Sequence, residues 1–312
     1  MWRLCVFSLA CNLTLVPPIH YCDVHVMDLP PGHRFPLEKY ALMRTQLAAD
    51  DFELTLSPLA PIDLIKLVHS EHYVDAFAAG MLSPATLRRI GFPWSEGLVR
   101  RTLSSLGGTL AAVEDALSYG WGANLAGGTH HAFVHEGAGY CVFNDLAVAI
   151  QRLRRDGYIQ RAAVIDVDVH QGDGTAQIFT GDPDVMTVSL HCASNFPFQK
   201  QRSTIDIELA DGTEDDEYLA ALNFVLPRVL SFRPDIILYQ AGVDGLYSDR
   251  LGHLSLSHRG LEERDRIVMH AACTHDVPFA ITLGGGYSIP VDLTVAAHAN
   301  VYRTAREVFG GR

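Results

Sequence analysis

The chain has 312 residues, of which 48% are hydrophobic and 19% charged, so it can bury a large core and is too apolar for a disordered chain. Its 36 acidic and 24 basic side chains leave a net charge of −12, and no basic patch is visible. This balance argues against direct nucleic-acid binding and favours a cationic substrate or product. The six cysteines never show C-x2–4-C spacing, which argues against a thiolate zinc site and fits reduced thiols in the cytoplasm.

The N-terminal residues have an ambiguous pattern. Arg3 precedes an apolar run, 4–16, in the manner of a signal peptide, but Asn12 interrupts the run and no small-residue cleavage site follows. We therefore expect residues 1–20 to be a first strand or an over-extended translation start. No other apolar stretch is long enough to span a bilayer, so we expect no membrane association.

From residue 95 onward the chain has the pattern of strands alternating with helices. The first half of this region predicts a helix from Ser95 to Gly120, a strand over 123–126, a helix from Asn144 to Gly157, a strand over 162–169 and a short helix near 175–179. The second half predicts a strand over 185–190, a helix from Thr213 to about Ser231, a strand over 236–240, a helix from Ser257 to before Pro278, a strand over 279–283 and a last helix.

This alternation predicts an open parallel β-sheet with helices on both faces. No linker, repeat or low-complexity segment interrupts it, so we expect one domain over 1–312. The chemically active residues follow the predicted strand ends, at 127–131, 168–170, 189–191, 241–244 and 286–287. Because the carboxyl ends of parallel strands meet along one edge, these residues should converge into one site.

The strongest chemical signal is the segment 166–174, which threads Asp166, Asp168, His170 and Asp173 through a strand end and the turn after it. Burying such charge needs a metal ion or a hydrogen-bond network, although a set of turn carboxylates is the alternative for this segment alone. Period-two alternation predicts that Asp166, Asp168 and His170 point the same way. Together with Asp244, Asp168 and His170 form a three-ligand set that suits zinc, and also Fe(II) or Mn(II), and leaves positions open for water and substrate.

Two adjacent histidines and a tyrosine complete the chemistry. His130 and His131 follow a strand end and suit acid–base catalysis, with Asp166 and Asp173 as candidates to orient them. A plain turn aspartate is the alternative for Asp173, and a packing role is the alternative for Tyr287. A phenol at Tyr287 can donate a hydrogen bond to a developing oxyanion. A metal-bound water, paired histidines and a phenol together indicate hydrolysis of an amide or ester.

Four segments in this order resemble the zinc-dependent histone deacetylase family of the arginase/deacetylase superfamily. They are Gly-Gly-x-His-His (127–131), Asp-x-Asp-x-His-x-Gly-Asp-Gly (166–174), Ala-Gly-x-Asp (241–244) and Gly-Gly-Gly-Tyr (284–287), and the resemblance covers about 31–288. The segments 89–94, 212–219 and 249–252 resemble the class IV branch and its bacterial relatives. A two-manganese arginase-type site would need carboxylates where this chain has Gly172 and Leu246, so we expect a single-metal site.

The resemblance implies a role for each matched residue. Asp168, His170 and Asp244 match zinc ligands. His131 matches the general base, with His130 as an electrostatic or acidic neighbour. The resemblance also implies that Asp166 pairs with His130, that Asp173 pairs with His131, and that Tyr287 polarises the carbonyl. It implies a potassium site near Asp166, Asp168, His170, Ser189 and Leu190. It further implies an acyl-lysine tunnel, with Gly139 and Tyr140 in one wall and Phe198 or Phe196 in the other.

The leading functional hypothesis is a zinc-dependent deacylase that hydrolyses an Nε-acyl-lysine amide in a protein or peptide. The second hypothesis keeps this chemistry and changes the substrate to acetylated polyamines or another small N-acyl amine. A non-catalytic binding module is disfavoured because every matched catalytic position is occupied. The acyl-chain length and the oligomeric state stay open at this stage.

Overall fold

The structure is a computed structural model, and it describes residues 16–310. Within this range eight strands form one sheet: β1 (Ile19–Tyr21), β2 (Leu54–Leu56), β3 (Trp121–Asn124), β4 (Ala162–Asp166), β5 (Val185–Cys192), β6 (Ile205–Leu209), β7 (Ile236–Gln240) and β8 (Phe279–Thr282). Their order is β2-β1-β3-β8-β7-β4-β5-β6, and all the strand pairings are parallel. The open parallel sheet is therefore confirmed.

Helices fill the connections between the strands, as parallel pairing requires. They are α1 (Glu38–Ala49), α2 (Ile62–Ile65), α3 (Glu71–Ala78), α4 (Pro84–Ile90), α5 (Glu96–Tyr119), α6 (Asp145–Arg155), α7 (Asp173–Ile178), α8 (Asp215–Phe232), α9 (His258–Thr274) and α10 (Val291–Phe309).

The core consists of two apolar layers, one on each face of the sheet. Alternation along the strands sends Ile165, Ile237 and Ile281 into one layer, which α1, α8, α9 and α10 cover. The intervening residues Val164 and Leu238 enter the other layer, which α5 and α6 cover. Burial on both faces explains why these strands are continuously apolar.

Three predicted helix starts are confirmed by side-chain caps. The side chains of Ser95, Asn144 and Ser257 accept hydrogen bonds from the first turns of α5, α6 and α9. Gly120 ends α5 in the left-handed conformation, with φ of 87°. The predicted start at Thr213 is wrong, because α8 begins at Asp215 and Glu214 makes no side-chain cap.

The predicted strand over 162–169 is also wrong at its end, because β4 stops at Asp166. Beyond it, the backbone N–H of Asp168 donates to the Asp166 carboxylate (3.2 Å), and the N–H of His170 donates to the Asp168 carboxylate (3.0 Å). These local bonds replace the strand ladder. The side-chain alternation of a strand therefore does not set the directions of Asp166, Asp168 and His170. Asp166 bonds to His130, whereas Asp168 and His170 bond to each other.

The segment before residue 95 contains elements that the sequence pattern did not predict, namely β2 and α1–α4. The edge strand β6 was not predicted either. Of the N-terminal residues, the apolar run lies almost wholly outside the described residues, and β1 occupies Ile19–Tyr21. Among residues 16–310, no helix is both long enough and apolar enough to cross a membrane.

Candidate active site

A cavity of about 710 Å³ opens at the carboxyl ends of the central strands. The loops after β3, β4, β7 and β8, which are neighbours in the sheet, bring His130, His131, Asp168, Asp244 and Tyr287 to its wall. Four of the five predicted strand-end segments thus contribute to this cavity, and the segment 189–191 does not line it. The geometry follows from the strand order, because four adjacent strands end at the same edge.

Three side chains in the lining of this cavity form a group that can hold a metal ion. Ligand atoms of Asp168, His170 and Asp244 all lie within 4.8 Å of one another. Nδ1 of His170 is 2.9 Å from Oδ1 of Asp168 and 3.1 Å from Oδ2 of Asp244. Two buried carboxylates aimed at one imidazole nitrogen have the donor chemistry of a divalent-cation site.

Neighbouring groups hold the two carboxylates in place. Oδ2 of Asp168 accepts from Nε2 of Gln240 (2.9 Å) and from the backbone N–H of Gly285 (2.8 Å). Oδ1 of Asp244 accepts from the backbone N–H of Val169 (2.8 Å). A Cβ on Gly285 would lie 2.0 Å from Oδ2 of Asp244, so only glycine lets this backbone approach the cluster.

The electrostatics of the cluster also fit a cation. Burial and the nearby charge of Asp168 raise the pKa of Asp244 to about 7. Burial lowers the pKa of His170, but hydrogen bonds to Asp168 and Asp244 outweigh it and raise the pKa to about 10. In the metal-free protein the His170 proton thus provides the positive charge that a metal ion would supply.

Metal binding should therefore release protons, and metal affinity should rise with pH. Of the three ligand side chains, His170 alone keeps its proton in the metal-free state between about pH 7 and pH 10, so affinity should rise about tenfold per pH unit. Below about pH 7 Asp244 also holds a proton, and the dependence should steepen. Competition with a chelator of known proton affinity over pH 6–9 measures the slope. An affinity that does not change with pH would contradict this assignment.

His130 and His131 form two adjacent histidine–aspartate pairs beside the cluster. Nδ1 of His130 is 2.6 Å from Oδ2 of Asp166, Nδ1 of His131 is 2.6 Å from Oδ1 of Asp173, and the two imidazole centroids are 4.1 Å apart. Both pairs are buried. With Nδ1 donating to the carboxylate, Nε2 of each ring keeps a lone pair or a transferable proton.

The two histidines differ in their proton affinity. Burial lowers the pKa of His130, but the charges of Asp166 and Asp168 outweigh it and raise the pKa to about 9. Burial and the positive charge of His130 lower the pKa of His131 to about 4, against the opposing hydrogen bond to Asp173. One ring is thus an acid and its neighbour a base, which is the division that general acid–base catalysis requires.

Tyr287 lies next to the cluster, with its backbone N–H bonded to Oδ2 of Asp249 (2.6 Å). Burial, followed by the charges of Asp244 and Asp168, raises the pKa of Tyr287 well above its ordinary value. The phenol is therefore protonated at neutral pH and can donate a hydrogen bond to an oxygen in the cavity.

Comparison with known proteins identifies the family to which this fold and site belong. The model of the histone deacetylase domain matches residues 33–302. The chain belongs to the histone deacetylase family. Membership supports a deacetylase activity and agrees with the arginase/deacetylase-like fold.

Three individual similarities extend across most of the chain. An uncharacterized protein of a Picosynechococcus strain is 43% identical over 94% of this chain and 99% of its own length. The acetoin utilization protein AcuC of Bacillus subtilis is 34% identical over 88% of this chain and 77% of its own length. The crystal structure of a histone deacetylase homologue from Aquifex aeolicus superposes with a TM-score of 0.78 at 26% identity, covering 94% of this chain and 88% of that one.

The residues that the family resemblance assigns to the tunnel line the same cavity. Gly139 lies against the imidazole of His131, where a Cβ would approach Cδ2 to 2.6 Å, and the rings of Tyr140 and Tyr287 are 6.2 Å apart. The ring of Phe196 also lines the cavity and meets His131 edge-on, with the ring centroids 4.9 Å apart. Phe198 is 90% exposed and lies further out, beside Phe196. Phe196 is thus the phenylalanine that reaches the histidine pair.

The residues named for potassium also lie together. Asp166 of β4 pairs in register with Ser189 of β5, and the hydroxyl of Ser189 lies 3.0 Å from Nδ1 of His191. Leu190 is buried beside them. The potassium site remains a prediction.

The sequence pattern gave no indication of Lys39, which is buried against the glycine-rich loop before Tyr287. Its Nζ lies 3.4 Å from the carbonyl oxygens of Gly284 and Gly286, and 5.4 Å from the centroid of the Tyr287 ring. Burial lowers the pKa of Lys39 to about 8, against the opposing charges of Asp244 and Asp249. The lysine therefore holds the backbone that positions the phenol.

Lys39→Met should lower turnover. Removing the ammonium leaves the carbonyl oxygens of Gly284 and Gly286 without this donor and loosens the loop that carries Tyr287. The measurement is kcat. Lys66→Met is the matched control, because Lys66 makes surface ion pairs with Glu71 and Asp75. An unchanged kcat in Lys39→Met would contradict the role of this lysine.

Proposed function

We propose that the chain is a zinc-dependent deacylase that hydrolyses an Nε-acyl-lysine amide. The observation that carries this proposal is the placement of two differently charged histidines, one phenol and a three-ligand metal group around one cavity. Zinc held by Asp168, His170 and Asp244 would supply a Lewis acid for the acyl carbonyl and lower the pKa of an attacking water.

The protein side chains divide the remaining work. The Tyr287 hydroxyl donates a hydrogen bond to the carbonyl oxygen as negative charge develops on it. Nε2 of neutral His131 accepts a proton from the attacking water, and Asp173 keeps its ring oriented. The protonated His130, paired with Asp166, stabilises the developing negative charge, and the histidine pair then delivers a proton to the departing amine.

The lining of the cavity supports a substrate such as an acyl-lysine side chain. The rings of Phe196 and Tyr140 line the cavity with Gly139. Such apolar walls suit the methylene chain of a lysine, while the net charge of −12 favours a cationic product. We further propose a single catalytic domain that acts in the cytoplasm without contacting nucleic acid directly.

Hydrolysis by the purified, zinc-loaded protein on a matched substrate panel tests the proposal. The panel places acetyl-, octanoyl- and myristoyl-lysine peptides beside acetylated polyamines. Turnover of the peptides would support a protein deacylase, and the preferred acyl-chain length would report the depth of the acyl site. Turnover of polyamines alone would transfer the proposal to small N-acyl amines. No turnover of any member, with zinc confirmed bound, would refute the substrate assignment.

A further inference from the structure

A second group of metal-ligand side chains lies at the rim of the cavity, outside the catalytic cluster. Ligand atoms of Cys192, Asp211 and His253 all lie within 4.8 Å of one another. Cys192 is the last residue of β5, Asp211 follows β6, and His253 lies in the loop between β7 and α9. These segments are distant in sequence, which is why the cysteine spacing did not predict a site here.

Hydrogen bonds between these side chains show how closely their metal-ligand atoms lie. Sγ of Cys192 is 3.2 Å from Oδ1 of Asp211, and Nδ1 of His253 is 3.8 Å from Oδ2 of the same carboxylate. The Ser194 hydroxyl lies between them, 2.5 Å from Oδ1 of Asp211 and 2.8 Å from Nδ1 of His253. The hydroxyl thus lies among the three ligand side chains, 3.7 Å from Sγ of Cys192.

Backbone hydrogen bonds hold the three segments together without any metal. The N–H of Gly212 donates to the carbonyl of His253 (2.7 Å), and the N–H of Ser255 donates to the carbonyl of Thr213 (2.9 Å). The N–H of Ala193 donates to the carbonyl of Leu209 (2.9 Å), which joins Cys192 to the same unit. Asp211 and His253 are thus placed by two loops that bond to each other, and Cys192 is placed by the end of β5.

We propose that Cys192, Asp211 and His253 bind one zinc ion, with Ser194 or a water as the fourth ligand. One thiolate, one imidazole and one carboxylate form a ligand set that zinc accepts in tetrahedral geometry, and the sulfur disfavours magnesium or calcium. On binding, the S–H bond of Cys192 breaks, a sulfur–metal bond forms, and the proton passes to solvent. The buried thiol then exchanges a proton for a metal.

This rim site would brace the mouth of the catalytic cavity. Ser194 and Asn195 line that cavity from the loop that also carries Phe196, and His253 lines it from the loop between β7 and α9. Asp249, in the loop that carries His253, accepts the backbone N–H of Tyr287. A metal here therefore ties the segment of the phenylalanine wall to the loop that holds the phenol. The assignment does not depend on the proposed deacylase function.

Cobalt binding distinguishes the rim site from the catalytic cluster, because only the rim site contains sulfur. The metal-free protein, titrated with Co²⁺ under reducing conditions, should bind two equivalents and develop a thiolate-to-cobalt charge-transfer band. Cys192→Ser should remove the band and leave one equivalent. Asp244→Asn should also bind one equivalent but keep the band. Cys141→Ser is the matched control, because Cys141 is another buried thiol that lines the cavity. This variant should bind two equivalents of Co²⁺ and keep the charge-transfer band.

His253→Ala supplies a second test that does not disturb a buried residue. Removing a direct ligand should weaken Co²⁺ and Zn²⁺ at this site by at least about 100-fold, more than the loss of an outer contact costs. A wild-type protein that binds one equivalent without the band would overturn the proposal. So would a band that persists in Cys192→Ser, or a second equivalent bound equally well by His253→Ala. Each readout is independent of enzymatic turnover.

Discussion

The Asp244→Asn variant should lose the catalytic metal and nearly all hydrolytic activity while remaining folded. The asparagine oxygen can still accept the N–H of Val169, so the backbone contact of Oδ1 is kept. What is lost is the charge that Oδ2 presents to Nδ1 of His170, 3.1 Å away. A bound metal contributes several kcal/mol to the transition state, so turnover should fall by about a thousandfold or more.

The same variant should stabilise the metal-free protein at alkaline pH. Because the pKa of Asp244 is raised to about 7 in the folded state, its ionisation costs stability progressively as pH rises from the unfolded pKa to about 7, and the full cost is present above that pH. Asparagine removes that cost. Thermal unfolding at pH 8 with a chelator should therefore give a higher Tm for Asp244→Asn than for the wild type, and added zinc should reverse the order.

Metal content, kcat and Tm measured on one preparation separate these effects. Asp216→Asn is the control, since it removes an exposed carboxylate of α8 with the same chemical change. Full activity in Asp244→Asn would remove this residue from the catalytic metal site. A lower Tm at pH 8 in the chelated variant would show that the carboxylate stabilises the apo fold, contrary to the expectation.

The parts of the fold that could be predicted are those whose pattern is local. Apolar strands such as β7, where 236–240 matches Ile236–Gln240, are buried on both faces and leave a continuous hydrophobic run. The caps at Ser95, Asn144 and Ser257 depend on contacts three residues away. The edge strands β2 and β6 were missed because they are only partly buried, and their residues do not form such a run. Helix α1 was missed because Lys39 interrupts its buried face.

The same distinction applies to the candidate site. Asp168, His170 and Asp244 are recognisable because each follows a strand end within a motif. Gln240 was missed although its amide bonds to Asp168, because a polar residue at the end of a strand carries no signal of a contact 72 positions away. The backbone N–H of Gly285, which holds the same carboxylate, is invisible in any side-chain pattern.

Local propensity also misled the prediction at the end of β4. Val167 and Val169 are buried and continue the alternating pattern, so the strand seemed to extend to 169. The carboxylates of Asp166 and Asp168 accept the backbone N–H groups that a strand would pair elsewhere, and the chain turns. This turn is what lets Asp166 reach His130 while Asp168 and His170 face Asp244.

The Tyr287→Phe variant should lower kcat by about 100- to 1,000-fold, the usual cost of removing one oxyanion donor. Burial and the charges of Asp244 and Asp168 keep the phenol protonated, so its hydrogen bond is available throughout the neutral range. KM should change little, because the bond strengthens as charge develops on the carbonyl oxygen rather than on substrate binding. Metal content should be unchanged, since Tyr287 is not in the three-ligand group.

Tyr140→Phe is the matched control for this change. Its ring lies 6.2 Å from that of Tyr287 and lines the same cavity, so it reports the loss of a phenolic oxygen from the tunnel wall alone. We expect less than about a tenfold effect on kcat, since that oxygen is not assigned to the developing charge. Equal losses in the two variants would indicate a general effect on the cavity. Full activity in Tyr287→Phe would assign carbonyl polarisation to the metal and the histidine pair without the phenol.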